Sequence, residues 1–507
     1  MRLGFVYFRA PMKKFLYFLF VSMLFAMTSC NKDDILRDAD AKVAFSTDTL
    51  TFDTVFTTLG SATRSFKIYN NNSQAIEISN IRLAGEFSEQ FRINVDGYPG
   101  PDVSNVEIQA NDSAWVFVEV TVDPVNDVNP LVLYTDILFE TNGNTQTVVL
   151  EAWGQDAYYY YPTEFLIEGF PPFSYLSSYD NYFPISQDVF LPNDKPHVIF
   201  NYLLIDSLVT LHIQEGTEIY LSDGGGLWAY RESAIEALGT AGNPVTFQGL
   251  RLESYYDDIP GQWDRIWINE SSKDSRFEHC IIRNGFVGIQ AEPWIIYDAP
   301  PAIGTNTLYL ENTIIENMDG LGILSRNYNI DAKNTLINNG KEYLLAALGG
   351  GTQSYVHCTF GNYFSAGTRS NPSLLLSNAY QDGYGNLIVG DFNFYAGNTI
   401  IDGNTVEEIE TDSLLDADFN YLFDRCILKT ERYERNGPRT QNCILNPAQV
   451  AGYINPLFKD PSGFDFALHS EAIAIDSGYN SISGNISTDI EENPRDGLPD
   501  IGAYEFQ

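Results

Sequence analysis

One five-residue pattern recurs in matched register along the second half of the chain, and it constrains the fold more than any other feature. It reads Cys280-Ile281-Ile282-Arg283-Asn284, Thr313-Ile314-Ile315-Glu316-Asn317, Thr335-Leu336-Ile337-Asn338-Asn339 and Cys358-Thr359-Phe360-Gly361-Asn362. Weaker copies follow at Thr399-Ile400-Ile401-Asp402 and Cys426-Ile427-Leu428-Lys429. Successive starts lie 33, 22, 23, 41 and 27 residues apart. The short spacing suits one coil of a parallel β-helix, and the longer gaps carry insertions. Coils stack about 4.8 Å apart, so like residues fall above one another. Asn284, Asn317, Asn339 and Asn362 then form an asparagine ladder, because asparagine tolerates the left-handed turn and its amide bonds to the next rung. The Cys/Thr starts form a column of small core side chains. Asp402 reads as a surface residue.

That register also bears on the thiols. Cys280 and Cys358 stand three coils, about 14 Å, apart, beyond the reach of a disulfide. Cys426 and Cys443 fall on adjacent coils, where a pair and two free core thiols are both open. The spacings match no zinc-site pattern, and neither a metal nor a cofactor is expected.

The texture elsewhere is all-β: β-branched and aromatic runs separated by Asn, Gly and Pro clusters. Net charge is −38, from 29 Lys+Arg against 67 Asp+Glu. Such a field repels nucleic acid, and repels acidic polysaccharides unless a basic cleft or Ca²⁺ intervenes.

The N-terminus reads as a signal peptide over residues 1–29, with residues 1–11 as an upstream extension before Met12. Lys13-Lys14 precede an apolar stretch from Phe15 to Met27 that is too short to span a bilayer. Met27-Thr28-Ser29-Cys30 resembles the lipobox of bacterial lipoproteins. That resemblance implies lipidation of Cys30, a tether over residues 30–41, and the outer membrane as partner through an acyl anchor. Lys32, Asp33 and Asp34 resemble the signal that sends Bacteroidota lipoproteins to the outer face of that membrane.

Residues 42–156 alternate with period two in runs such as Ser65-Phe66-Lys67-Ile68-Tyr69 and Trp115-Val116-Phe117-Val118-Glu119-Val120, which predicts half-buried strands of a β-sandwich. Phe66-Lys67-Ile68-Tyr69-Asn70-Asn71, Val122-Asp123-Pro124 and Thr141-Asn142-Gly143-Asn144 resemble bacterial immunoglobulin-like domains. The tyrosine- and proline-rich residues 157–190 read as a linker. Residues 191–455 are the expected helix, and 456–507 a closing segment. Val209-Thr210-Leu211-His212-Ile213-Gln214-Glu215-Gly216-Thr217 resembles an entry coil of secreted right-handed β-helix proteins, as does Gly239-Thr240-Ala241-Gly242-Asn243-Pro244. Asp500-Ile501-Gly502-Ala503-Tyr504-Glu505 resembles their C-terminal end. The expected fold is therefore an immunoglobulin-like β-sandwich followed by a right-handed single-stranded parallel β-helix with a closing segment.

Parallel β-helices host polysaccharide lyases and glycoside hydrolases, which need clustered carboxylates. Candidates are Asp257, Asp258, Asp264 with Arg265, Glu278, and Glu316 with Arg283, none in a recognisable catalytic signature. His279 and His357 read as turn or surface residues. The insertions offer candidate ligand-binding aromatics: Trp294 and Tyr297 between Glu292 and Asn306, Phe392 and Phe394 between Tyr380 and Tyr395. The leading expectation is a non-catalytic surface lipoprotein. It would bind a polysaccharide, or serve as accessory subunit to a β-barrel or other envelope protein; the alternative is a lyase or hydrolase. Three or more converging carboxylates would favour the enzyme, and an aromatic, carboxylate-poor flank would favour binding.

Overall fold

The computed structural model describes residues 35–123, 131–164, 171–176, 179–180, 183–184, 188–270, 272–293, 302–446 and 456–507. Cys30, Lys32, Asp33, Asp34, Trp294 and Tyr297 lie outside these. Described residues form two compact units, divided between Gln155 and Asp156.

In the first unit, period-two alternation builds two five-stranded sheets. One runs Ala44–Phe45, Arg64–Tyr69, Ser113–Val120, Phe91–Val95, Tyr98–Pro99, each strand antiparallel to the next. The other runs Thr49–Phe56, Asn144–Gln155, Leu131–Thr141, Ile76–Ala84, Asp102–Ile108, and only its first pair is parallel. Inward residues of both sheets, among them Phe52, Phe66, Ile78, Val116, Ile137 and Phe139, share one apolar core. On Ser113–Val120 the same alternation turns Trp115 and Phe117 outward, 43% and 40% exposed.

The second unit is wound from three long parallel sheets of the parallel β-helix type. Sheet A has eleven strands, sheet B nine and sheet C ten among the described residues. The chain visits them in the order A, B, C: Cys280–Arg283, Gly285–Glu292, Thr307–Glu311, then Ile314–Met318, Leu321–Arg326, Asn329–Lys333. The pattern's register is the pairing register, Ile281 on Ile314 on Leu336 on Thr359 on Ile400 on Ile427. Isoleucine, leucine, valine and phenylalanine from all three sheets fill a single central core.

The tract read as a linker departs from that expectation. Tyr158–Tyr160 pairs with His197–Ile199 in sheet A, Phe173–Tyr175 with Tyr202–Ile205 in sheet B, and Asp188–Leu191 with Thr210–Ile213 in sheet C. These described strands of the aromatic segment form a coil. Its Tyr160 hydroxyl lies 2.9 Å from His197 Nδ1, so a polar tip is satisfied while the ring packs.

Two corner columns hold the coils in register. At the A–B corner, Asn284, Asn317 and Asn339 adopt φ of 65, 56 and 51°, as the asparagine reading requires. Asn317 Nδ2 donates to Asn284 Oδ1 at 2.7 Å. The ladder then changes partners. Asn339 Oδ1 accepts from the Tyr363 N–H at 3.0 Å, and Asn362 Nδ2 donates to the Gly340 carbonyl at 2.8 Å. Asn362 ends the strand Thr359–Asn362, outside the left-handed set, because an eleven-residue insertion follows it before Leu374 and no tight turn is needed.

A second column stands at the C–A corner, one residue before each pattern start. His279, Asn312, Asn334, His357, Asn398, Arg425 and Asn442 all take φ between 44 and 54°. Asn334 Nδ2 donates to Asn312 Oδ1, and Asn312 Nδ2 to His279 Nε2, each at 3.1 Å. Each is followed by a buried small residue of the Cys/Thr column, Cys280 through Cys443. Cys280, Cys358, Cys426 and Cys443 are free thiols, and burial pushes Cys358 up to about 12. Their sulfurs face backbone carbonyls, as in Cys426 to Ala396 at 3.3 Å.

The closing segment lies on the outer face of sheet A. Phe458, Phe466, Leu468, Ile501 and Ala503 cluster with the outward Leu336, Ile400 and Ile427. Gly361 makes room for this: a Cβ there would stand 2.2 Å from Phe466 Cε1. The C–A column supplies the polar half of the joint. Buried Arg495 pairs with Glu505 at 3.0 Å and donates to Asn334 Oδ1 at 3.0 Å. Asn398 exchanges bonds with the Tyr479 backbone, and His357 Nε2 meets Ser483 Oγ at 2.7 Å. Asp402 is not a surface residue. It is 7% exposed and accepts from Tyr363 Oη at 2.6 Å, because an insertion folds over it.

Candidate functional site

Of the carboxylates weighed for glycoside chemistry, Asp258 and Glu316 lie near each other beside Arg283, whereas Asp264 and Glu278 lie on other sheets. Asp264 and Arg265 sit on Trp263–Asn269 in sheet B, Glu278 on Ser275–Glu278 in sheet C, and Arg283 and Glu316 on sheet A. Sheet alternation and coil order disperse residues that are close in sequence over three faces. Asp264, Arg283 and Glu316 are also engaged locally. Asp264 pairs with Arg265 at 2.7 Å and accepts from the Tyr202 hydroxyl. Arg283 donates to Gln248 at 3.0 Å. Burial holds the Glu316 carboxyl above its usual range. Asp257 and Asp258 are exposed in the insertion before Trp263. Among the described residues no group of three or more His, Cys, Asp or Glu is placed to hold a metal ion.

Both aromatic insertions leave at the B–C corner, the first after Gly285–Glu292 and the second after Leu374–Ser377. The second contains a small antiparallel hairpin, Ala379–Gln381 with Leu387–Val389. A cleft of about 370 Å³ opens here between Glu292, Arg326, Tyr380 and Asp382. Its charged groups are engaged by neighbouring groups, except that the buried Arg326 Nε has no hydrogen-bond partner among the described residues. Glu292 accepts from Trp267 Nε1 and Gln290 Nε2 at 2.9 Å each, and from Arg326 at 3.1 Å. Arg326 lies over the Tyr380 ring at 5.6 Å. Asp382 caps the hairpin turn; the Asn386 side chain and nearby N–H groups hold its carboxyl below the usual range. Below this cleft Trp228 and Trp267 stack on the outside of sheet B, centroids 4.7 Å apart.

Phe392 and Phe394 are not ligand-facing. They are 0% and 4% exposed, and Phe394 packs on Tyr355 and Phe423 in the core. Both phenylalanines sit on a strand whose parity turns them inward and turns Asn393 and Tyr395 outward. Outward neighbours Asn393 and Tyr395 instead line a cleft of about 410 Å³ on sheet C, with Thr352, Ser354 and Asn420. No carboxylate lines it, whereas the cleft at the B–C corner holds Glu292 and Asp382. A third cleft, about 430 Å³, lies on early coils of the same sheet and holds Glu215 and Glu236. There His212 Nδ1 meets Glu236 at 2.9 Å, and the His212 ring stacks on Phe190 at 4.6 Å. His279 and His357 are corner residues, as expected, though buried rather than surface.

No protein-family model matches the chain, and no curated protein matches it. Local similarity links the chain to a number of solved structures, among them the following two. One is a family 123 glycoside hydrolase from Clostridium perfringens, 9% identical, with 23% of this chain matched to 30% of that one and a TM-score of 0.18. The other is an ASH / PapD-like domain of human CEP192, 11% identical, with 25% of this chain matched to 94% of that one and a TM-score of 0.17.

Proposed function

We propose that the chain is a non-catalytic outer-membrane lipoprotein of the Bacteroidota type, displayed on the cell surface. In this reading an immunoglobulin-like sandwich carries a right-handed single-stranded β-helix that serves as a binding or scaffolding module. One observation carries the choice against a lyase or hydrolase. Of the candidate carboxylates, Asp264 and Glu278 stand on different sheets from Glu316, and only Asp258 comes near Glu316, whereas bond cleavage needs two or three around one glycosidic oxygen. Anchoring rests on Met27-Thr28-Ser29-Cys30, and surface display on Lys32, Asp33 and Asp34.

The test combines anchoring with activity. Cys30→Ala should abolish lipid labelling and release the protein from the membrane fraction. Replacing Lys32, Asp33 and Asp34 with Ala should retain the lipid and lose protease accessibility on intact cells. Membrane retention of the Cys30 variant, or new reducing ends or unsaturated sugars released from any polysaccharide, would reject the reading. Affinity purification from membranes separates its two forms: a co-purifying β-barrel supports the accessory role, a glycan the binding role.

A further inference from the structure

We infer that the late coils of sheet C form the ligand site, and that its ligand is an uncharged linear polysaccharide lying across the strands; this rests on the binding-module reading above. Strands Gly351–Val356, Phe392–Gly397 and Phe419–Asp424 pair in strict register there, so each outward position recurs on three rungs. One column reads Thr352, Asn393, Asn420, all exposed, with Asn420 Nδ2 donating to Asn393 Oδ1 at 3.3 Å. Hydroxyls and amides each give and accept hydrogen bonds, as sugar hydroxyls do. Rungs lie about 4.8 Å apart, so a polymer crossing them meets one such group at every step.

The neighbouring column places Tyr395 beside these amides. Its ring lies along the strand over Gly397, where a Cβ would come within 2.7 Å of Tyr395 Oη. A half-buried ring held flat in this way is a stacking platform for a sugar face, and its hydroxyl stays protonated at about 12 through burial and the nearby Asp424.

Charge selects the class of polysaccharide. The one charged residue lining the cleft, Arg439, donates to the Phe419 carbonyl at 3.0 Å and sits 4.7 Å from the Tyr421 ring. It faces no carboxylate there, and the surrounding chain carries −38. A uronic-acid polymer would approach against that field with one committed cation to receive it. A neutral glycan meets no such barrier. A protein segment is a poorer occupant, because the exposed column is made of hydroxyls and amides, and the large apolar lining residues Tyr395, Tyr421 and Leu422 are half-buried, unlike the exposed anchors that dominate protein interfaces.

Affinity electrophoresis of the full chain without its lipid, through gels holding a neutral glucan, xylan or mannan or polygalacturonate, tests this. Retardation is expected in at least one neutral gel, none in polygalacturonate, with no loss at high salt. Asn393→Ala with Asn420→Ala, and separately Tyr395→Ala, should weaken it about tenfold or more, with unchanged melting. Retardation that survives both variants would overturn this site and leave the binding module standing. Retardation only in polygalacturonate would overturn the neutral class. Absence of retardation in every gel would overturn the inference. If a β-barrel partner then co-purified from membranes, the module would survive as a scaffold; cleavage of the gel polysaccharide would sink both readings. A concentration-dependent dimer broken by the asparagine variants would assign the face to a second copy.

Discussion

The side-chain amide of Asn317 is bonded to Asn284 on the preceding coil, 2.7 Å away, and both residues turn the chain in the left-handed region. Asn317→Gly keeps that backbone conformation and removes only the amide. It should destabilise the second unit by about 1–2 kcal/mol, the cost of a lost buried hydrogen bond with its partner left unpaired. A double-mutant cycle with Asn284→Gly should show coupling of about 0.5 kcal/mol or more, whereas Asn317→Gly with Asn339→Gly should add. Denaturant melts decide it; strict additivity of Asn284 and Asn317 would rule out the contact.

Arg369 and Glu408 form a buried ion pair at 2.6 Å, 1% and 0% exposed. Glu408 also accepts from the Ser373 N–H and hydroxyl at 2.9 and 2.6 Å, and from the Thr405 N–H at 2.9 Å. Arg369→Leu strands a buried carboxylate and should cost about 3–5 kcal/mol. The double variant Arg369→Leu with Glu408→Leu should cost clearly less than the two singles together. A double-variant cost equal to the sum of the two singles, read from thermal and urea melts, would contradict the pairing.

Gly361 is the seat of Phe466. Gly361→Ala should force the closing segment off sheet A at a cost of about 1–3 kcal/mol and bring early protease cuts within residues 456–507. Gly383→Ala, on the hairpin where a Cβ meets nothing within 4 Å, should change stability by less than about 0.5 kcal/mol. Equal protease resistance of the Gly361 variant and the parent would count against this packing.

Acid should loosen the same joint through His357. Burial first, and Arg495 second, hold its pKa well below the ordinary 6.5. The unfolded chain therefore takes up a proton that the folded one refuses, and stability falls as pH drops below about 6.5. Asp500 acts in the opposite sense. Burial raises it to about 6 from 3.8, so its contribution is present at low pH and lost as pH rises through about 6. His357→Asn, which keeps a residue suited to the corner, should flatten the acid limb of the melting profile, and Asp500→Asn should steepen it. Identical profiles for parent and His357→Asn would exclude the histidine.

Much of the coil was legible because its information is local and repeated. A residue that must turn left-handed at every corner, and a small residue that must fit every core, print a period that spacing alone reveals. Strands of the first unit were legible for the same reason, since Ser113–Val120 alternates in sequence as it does in burial. The C–A column was equally available, as His279, Asn312, Asn334, His357 and Asn398 each stand before a Cys or Thr of the pattern. It went unread because histidine and asparagine do not look alike until both are seen at φ near 50°.

Tertiary structure alone decided which face each strand shows and what lies over it. Phe392 and Phe394 differ from Asn393 and Tyr395 by one step, and an insertion of unknown path erases that parity in sequence. Asp402 is buried by Tyr363, and Gly361 is shaped by Phe466 about a hundred residues later. The aromatic residues after Ala157 close a coil only because His197–Ile199, Tyr202–Ile205 and Thr210–Ile213 return beside them. Period and turn chemistry act between neighbours in sequence, whereas burial is set by whichever remote segment finally covers a side chain. The fold was therefore written in the repeat, and the surfaces that carry function were settled only when the coils closed.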